Sequence, residues 1–266
     1  MTYQIALVQF SPARKNVAAN IKSIENLLDG IRADLIVLPE LSNSGYLYRS
    51  TESLLPYTEP CTGIGDFLST LKVTANQTGG VFIAGYAERE GSKIYNSCAA
   101  ISSDGVIANY RKTHLYATEK YLFQPGNTGF TVFTWKCVRI GMMICFDWIF
   151  PESARSLTLS GAQILAHPAN LVLPYCQDAM VTRSIENKVF TVTANRIGSE
   201  KLGRTKLNFT GQSQMTSPTG EILFRGPINK STVNIITINP DQALDKHISD
   251  ENDLLRDRRV DQYRIE

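Results

Sequence analysis

Five cysteines in 266 residues form no CxxC pair, and an odd number cannot be fully paired within one chain. A disulfide scaffold is therefore excluded, and reduced thiols in the cytoplasm are predicted. The three histidines, His114, His167 and His247, form no HExxH or similar motif, so no metal ligand set is expected, and His167 before Pro168 reads as structural. A GxSxG elbow, a GxGxxG turn and a P-loop are all missing, which argues against a serine hydrolase, a dinucleotide enzyme and an NTPase. No apolar stretch approaches the roughly 20 residues needed to cross a bilayer. The first residues, MTYQIALVQF, lack a basic leader and a small-residue cleavage site and read as a strand. Charge of one sign is not in excess: 27 Lys and Arg stand against 25 Asp and Glu, a net charge of +2. Nothing in that balance advertises a nucleic acid or a membrane as partner.

What is present is an ordinary globular composition, 43% apolar and 20% charged, long enough to bury a large core. Residues 4–10 suggest a strand, after which Val17, Ile21, Ile24 and Leu28 make the apolar stripe of a helix that Gly30 ends. The run 34–38 is a buried strand closed by Pro39, with the charged Glu40 just outside. Strand, helix and parallel strand form one βαβ unit. A polar, turn-rich segment follows over 42–53. Phe67, Leu68, Leu71 and Ala75 then mark a second helix, and Gly79-Gly80 leads into a strand from Val81. Ser103-Asp104-Gly105 between apolar runs signals a hairpin that delivers Lys112 directly after a strand.

The opening pattern returns in the second half. A strand over 138–145 precedes a helix from Pro151 to about Ser160, and a further strand ends in His167-Pro-Ala-Asn170. The two strand-helix-strand units hint at pseudo-symmetric halves. A helix over about 177–188, a strand from Val189, a hairpin about 217–220 and a strand over 233–238 complete the reading. No composition shift or linker divides the chain, so residues 1–266 are read as one domain. The segment 250–266 interleaves Arg256, Arg258 and Arg259 with Asp253, Asp257 and Asp261, the pattern of a salt-bridged or subunit-contacting tail.

Three polar residues stand at strand ends: Glu40, Lys112 and Cys145. Cys145 closes an apolar run at a strand's carboxyl end, where open α/β sheets bind ligands, and a helix opening just beyond it favours a thiolate. Thiol catalysis needs a base for the proton, a cation for developing negative charge and the thiol itself, and these three supply the parts. Singly, each has a structural explanation: Glu40 as a surface carboxylate, Lys112 as an exposed hairpin base, Cys145 as a small core hydrophobe. Spacing does not show that the three converge. Tyr46, Phe146, Trp148 and Asn170 lie just past presumed strand ends. Of these, Tyr46, Phe146 and Asn170 are the favoured pocket residues, although aromatics there are as often core packing.

Leu38-Pro-Glu40 with Gly45-Tyr46, Tyr110-Arg-Lys112-Thr-His-Leu115, and Gly141-Met-Met-Ile-Cys145-Phe-Asp-Trp with Pro151-Glu152 resemble, in order, the three catalytic blocks of the nitrilase superfamily, the carbon–nitrogen hydrolases. The likeness runs on through His167-Pro-Ala-Asn170, Arg183-Ser-Ile-Glu-Asn187 and Asp257-Arg-Arg259, and looks most like the short single-domain nitrilases and aliphatic amidases. It implies an α/β fold built as a four-layer αββα sandwich of two mixed sheets. It also implies a triad in which Cys145 is the nucleophile, Glu40 the general base and Lys112 the oxyanion-stabilising group, helped by the backbone N–H of Phe146. Glu119 matches the family's second glutamate and would orient Lys112 and the substrate; otherwise it is a solvated loop carboxylate. No metal and no organic cofactor is implied, and self-association as a homodimer or larger homo-oligomer is. Small aliphatic amides or nitriles are the expected substrates, with N-carbamoyl compounds and a non-catalytic binding role as alternatives.

Overall fold

A computed structural model describes residues 1–264; the last two residues of the predicted charged tail lie outside the described ones. In chain order the elements are β1 (Tyr3–Gln9), α1 (Val17–Leu28), β2 (Leu35–Val37), α2 (Thr51–Leu54), α3 (Asp66–Thr78), β3 (Val81–Glu90), β4 (Lys93–Ser102), β5 (Gly105–Arg111), β6 (Val132–Trp135), β7 (Val138–Met142), α4 (Pro151–Leu159), β8 (Ile164–Ala169), α5 (Cys176–Asn187), β9 (Phe190–Asn195), β10 (Ser199–Leu202), β11 (Thr205–Asn208), β12 (Gln214–Thr216), β13 (Ile222–Arg225) and β14 (Thr232–Ile238).

Two mixed sheets of six strands carry the fold, ordered β14-β1-β2-β3-β4-β5 and β13-β12-β9-β8-β7-β6, and β10 and β11 pair apart from them. In the first sheet β1, β2 and β3 are parallel neighbours; in the second β7, β8 and β9 are. Each parallel pair needs a crossover, which α1, α3, α4 and α5 supply. The two halves hinted at by the sequence therefore correspond to two sheets of like build.

Side chains of β1 and β2 alternate between two cores. Ile5, Leu7, Leu35 and Val37 join the cluster shared with β7, β8 and β9 of the other sheet. Ala6, Val8, Ile36 and Leu38 join the cluster under α1 and α3. Both faces are covered, which is why these strands read as unbroken apolar runs. Each large aliphatic side chain removed from water this way contributes about 1.5–3 kcal/mol. With α4 and α5 packed on β7 and β9, the order of layers is helix, sheet, sheet, helix, as the family resemblance implied.

One expectation needs correction. The strand read over 138–145 ends at Met142, because the chain leaves the ladder for a 3₁₀ turn over Cys145–Ile149. The segment from Ser42 is rich in turns, as read, and Ser42, Asn43 and Ser44 are fully buried in it. Their polar groups are satisfied inside. Asn43 donates to Tyr57 O and accepts from the Ala87 N–H, and Ser42 donates from Oγ to Pro39 O. A buried loop with its hydrogen bonds made costs far less than one without. Over its described residues the tail is mostly exposed, with Asp253 to Leu255 and Arg258 half-buried, and carries close opposite charges, Arg259 with Asp261 at 2.8 Å and Arg256 with Asp253 at 3.9 Å. Among the described residues no helix is long and apolar enough to cross a membrane.

Candidate active site

Glu40 follows β2 at its carboxyl end. Pro39 has no N–H for the ladder, and Leu41 turns the chain with a left-handed φ of 49°. Strand β3 passes directly beneath: a Cβ on Gly85 would stand 2.5 Å from Glu40 Cα and 2.7 Å from Pro39 O, both backbone atoms. Only glycine lets the two backbones approach this closely. Gly85→Ala is therefore expected to displace Glu40, destabilising the protein by about 1–3 kcal/mol and lowering kcat at least about tenfold. Thermal unfolding and ammonia release measured side by side would check this, and full activity in a destabilised variant would count against the strict placement of Glu40.

Lys112 follows β5, and its N–H donates to Asn96 O at 2.8 Å, extending the pairing with β4 by one residue. Neighbouring side chains of a strand point to opposite faces, and here each finds its own carboxylates. Arg111 turns to Glu88 and Glu90 and lies over the Tyr95 ring at 3.8 Å. Lys112 turns the other way. Its Nζ donates to Glu40 Oε1 at 2.7 Å and to Glu119 Oε2 at 2.8 Å and Oε1 at 2.9 Å. Glu119 reaches this point from a 3₁₀ turn over Ala117–Tyr121 that is entered through a left-handed Ala117.

From the second sheet, the chain leaves β7 at Met142 and reaches Cys145, which sits at φ 42° at the start of its 3₁₀ turn. A non-glycine residue there costs roughly 1–2 kcal/mol and persists only when its surroundings fix it. Asp147 supplies part of that fixing. Its carboxylate accepts from the Ile144 N–H at 2.8 Å, from Tyr110 Oη at 2.8 Å and from the His114 N–H at 3.2 Å, and meets His114 Nδ1 at 2.8 Å. One carboxylate thus ties the cysteine's turn to β5 and the segment after it.

The resulting centre is buried. Glu40, Lys112, Glu119, Tyr46 and Cys145 are all buried. Asn96 Nδ2 donates to Glu40 Oε1 at 2.7 Å, so that oxygen takes both the amide and the ammonium, while Glu40 Oε2 is buried with no partner among the described residues. Tyr46 Oη donates to Glu119 Oε1 at 2.7 Å. Tyr46 is fixed in turn by Glu200 of β10, whose carboxylate accepts the Tyr46 and Leu47 N–H groups at 3.0 and 2.7 Å and pairs with Arg196.

Charge follows from this packing. Burial alone would lower the pKa of Lys112, but Glu119 and Glu40 outweigh it and hold it well above the usual lysine range, so the amine is an ammonium. Burial raises Glu119, Lys112 pulls it back and Glu40 pushes it up again. The Cys145 thiol is raised well above its ordinary value, first by burial and then by Glu40, against the lowering influence of Lys112. The sequence reading of a thiolate favoured by a following helix is therefore overturned. A 3₁₀ turn over Cys145–Ile149 separates the sulfur from α4, and desolvation dominates. The resting sulfur keeps its proton.

A narrow crevice opens onto Cys145, lined by Tyr116, Phe146, Trp148, Asn170 and Leu171 to Leu173. Phe146 is half-buried and packs on Tyr116 at 5.0 Å. Asn170 is 2% exposed, and neither Nδ2 nor Oδ1 has a partner among the described residues. A wider cleft between α1 and α3, around Lys22, Glu25, Asp29 and Arg32, holds no nucleophile and lies away from Cys145.

Glu40, Lys112, Cys145 and Glu119 thus come together from segments far apart in the chain. Tyr46 reaches the centre through its hydroxyl, and Phe146 and Asn170 line the approach. Glu119 is not a solvated loop carboxylate, nor Glu40 a surface one. Asn96, Asp147 and Glu200 complete the geometry and were given no role from sequence. The signal for Asn96 is a polar residue inside an otherwise apolar strand, Ile94–Ile101, but an exposed face of a sheet gives the same signal. The histidines stand apart, His114 on Asp147, His167 on Cys145 O and His247 on Asp245.

The family model for carbon–nitrogen hydrolases matches residues 4–244. A nitrilase from Pyrococcus abyssi is 40% identical over 263 residues, which is 98% of each chain. An (R)-stereoselective amidase from a Pseudomonas species is 31% identical over 262 residues, 97% of this chain and 92% of that one. In fold, the carbon–nitrogen hydrolase of Helicobacter pylori G27 superposes with a TM-score of 0.86 at 22% identity, over 99% of this chain and 97% of that one. The span of the family match, and a relative of 40% identity along almost the full length, show that the chain belongs to the carbon–nitrogen hydrolase family.

Proposed function

We propose that this hydrolase cleaves the carbon–nitrogen bond of a small aliphatic amide or nitrile, with Cys145 as nucleophile, Glu40 as general base, and Lys112, oriented by Glu119, as the cation facing the developing oxyanion. The observation that carries the reading is the buried Lys112 ammonium held between Glu40 and Glu119, with the charges of all three acting on the Cys145 thiol. Because that thiol rests protonated, attack requires proton removal as the sulfur–carbon bond forms. The unpartnered Oε2 of Glu40 is free to take it.

Sulfur adds to the amide carbonyl carbon, and the carbonyl oxygen becomes an oxyanion facing Lys112. A well-placed donor of this kind is worth about 3 kcal/mol in the transition state. Glu40 returns the proton to nitrogen, ammonia leaves, and a thioester remains on Cys145. Water then gives a proton to Glu40 and attacks the thioester; carboxylate departs and the sulfur regains its proton. A nitrile passes first through a thioimidate, to which water adds before ammonia is lost. Tyr46, through Glu119, and the open amide of Asn170 would position the substrate's polar end, and Phe146 would limit its bulk.

In the same reading residues 1–266 act as one domain, supported by a continuous core between the sheets. A cytoplasmic location is supported by five cysteines that are all free. Assembly as a homodimer or larger is supported by apolar side chains left in water, among them Ile149, Tyr175, Ile185 and Val260.

The test is a panel of short amides, mono- and dinitriles and N-carbamoyl compounds, scored for ammonia, with enzyme quenched during turnover and its peptides weighed. At least one small amide or nitrile is expected to release ammonia and to leave its acyl mass on the Cys145 peptide. Turnover with the acyl group on another residue, or with no covalent species under any quench, would remove the nucleophile assignment.

A further inference from the structure

His167 lies within β8, fully buried, and does not line the crevice at Cys145. Its Nε2 lies 2.9 Å from the carbonyl oxygen of Cys145 and its Nδ1 3.0 Å from Thr193 Oγ1 on β9. A carbonyl only accepts, so Nε2 carries the ring proton. Burial holds the pKa of the imidazole down at about 4, so the ring is neutral, and Nδ1 accepts from the Thr193 hydroxyl. Both hydrogen bonds of the ring are thereby assigned, and its plane is fixed by two parallel strands.

The bond to the Cys145 carbonyl has a second effect. The peptide between Cys145 and Phe146 is trans, so its N–H points opposite to its C=O. With the carbonyl held by the buried His167, the Phe146 N–H points away from that ring, and Cys145 and Phe146 both line the crevice. That N–H is also one of the first-turn donors that the 3₁₀ turn leaves without an acceptor of its own. Cys145 sits at φ 42°, a conformation rarely adopted by side-chain-bearing residues, so this peptide needs an outside hold to stay in one orientation.

We propose that His167 is a positioning residue for the hydrolytic step: through the Cys145 carbonyl it sets the plane of the 145–146 peptide and so aims the Phe146 N–H at the oxyanion, opposite Lys112. This rests on the reading of Cys145 as nucleophile. His167 touches no substrate, and its influence falls on the transition state, where charge appears on oxygen.

His167→Leu fills the same space without a donor. It is expected to lower kcat by about 100-fold, the usual loss of one oxyanion donor, with KM within about threefold of the parent. Alkylation of Cys145 by iodoacetamide, followed on the Cys145 peptide, displaces iodide and builds no oxyanion. Its rate is expected to stay within about threefold of the parent, because only the oxyanion donor has been lost. His167→Gln, whose side-chain amide can donate to the same carbonyl, is expected to recover to within about tenfold of the parent. Unchanged kcat in His167→Leu overturns the proposal, as does equal loss in the Gln and Leu variants. A parallel fall in alkylation also overturns it, since His167 would then act on the sulfur. If His167→Leu does not fold, Thr193→Val decides: it keeps the imidazole but frees the ring. A drop in kcat of about fivefold with steady alkylation supports the proposal, and parental kcat overturns it. Failure of the underlying reading looks different, since turnover would then survive Cys145→Ala in the parent.

Discussion

Cys145→Ala is expected to lower kcat for ammonia release by about 10⁴- to 10⁶-fold on every amide and nitrile that the parent hydrolyses, with the variant folded as before. The size follows from the centre's construction. Glu40, Lys112 and Glu119 stay in place when sulfur is removed, so substrate is still held and a water beside Glu40 is still activated. What disappears is the covalent route, which divides one difficult displacement into two easier ones. The backbone at 145 tolerates the change, since alanine meets the left-handed φ with no more branching than cysteine. A sensitive ammonia assay, with the unfolding midpoint measured in parallel, decides the matter. Residual turnover above about one-hundredth of the parent would mean that Glu40 drives water directly onto the substrate and that the thioester is not on the main path.

Lys112→Leu carries the second large effect, and this one falls on stability as well as rate. Among the described residues the ammonium is the only cation paired with these two buried carboxylates, 2.7 Å from Glu40 and 2.8 Å from Glu119. Removing one member of such a buried set typically costs about 3–5 kcal/mol, because the charges left behind lose their partner without regaining water. In a chain of this size that corresponds to a midpoint lowered by roughly 10 °C. Activity should fall with it, by at least about 10³-fold, as both the oxyanion's cation and the base's neighbour are gone.

The pH dependence gives a sharper check. In the parent, the folded pKa of Lys112 lies above its ordinary 10.5, so its stabilisation is fully present below that value and is lost only as alkaline pH passes the folded value. Between about pH 5 and 8 it contributes no slope. Glu119 is already raised by burial, and deleting the lysine removes the main influence lowering it. A carboxyl whose folded pKa is raised favours the folded state below its unfolded pKa and loses that advantage as pH climbs through the folded one. The deficit of Lys112→Leu should therefore shrink toward about pH 5 and widen toward about pH 8, and adding Glu119→Gln should recover part of it. A deficit of constant size across that range would show that the two carboxylates do not share the lysine.

The fold was legible where burial leaves a mark on composition. Runs such as Ile5 to Val8 and Leu35 to Leu38 are apolar on both faces because a core lies on each side, and Asp104-Gly105 announced its hairpin by turn chemistry. The site was legible only in pieces. Glu40, Lys112 and Cys145 each follow a strand, but their meeting depends on how two sheets face each other, and strand ends in sequence carry no record of that. The burial of the loop from Ser42 to Tyr48 left no mark in the sequence for a related reason. Its serines and asparagine look like surface residues, and what keeps them inside is a set of long-range bonds to Ala87, Tyr57 and Glu200. The state of the thiol was misread because desolvation belongs to the surroundings of a residue and not to its neighbours in the chain.

Glu40 and Lys112 come from one six-stranded sheet and Cys145 from the other, with Asp147 bridging the join. A nascent chain that has folded only its first half carries an acid and a base with nothing to activate; its second half alone carries a sulfhydryl with no acceptor for its proton. Hydrolysis is thus a property of the finished seam, and a misassembled copy lacks it.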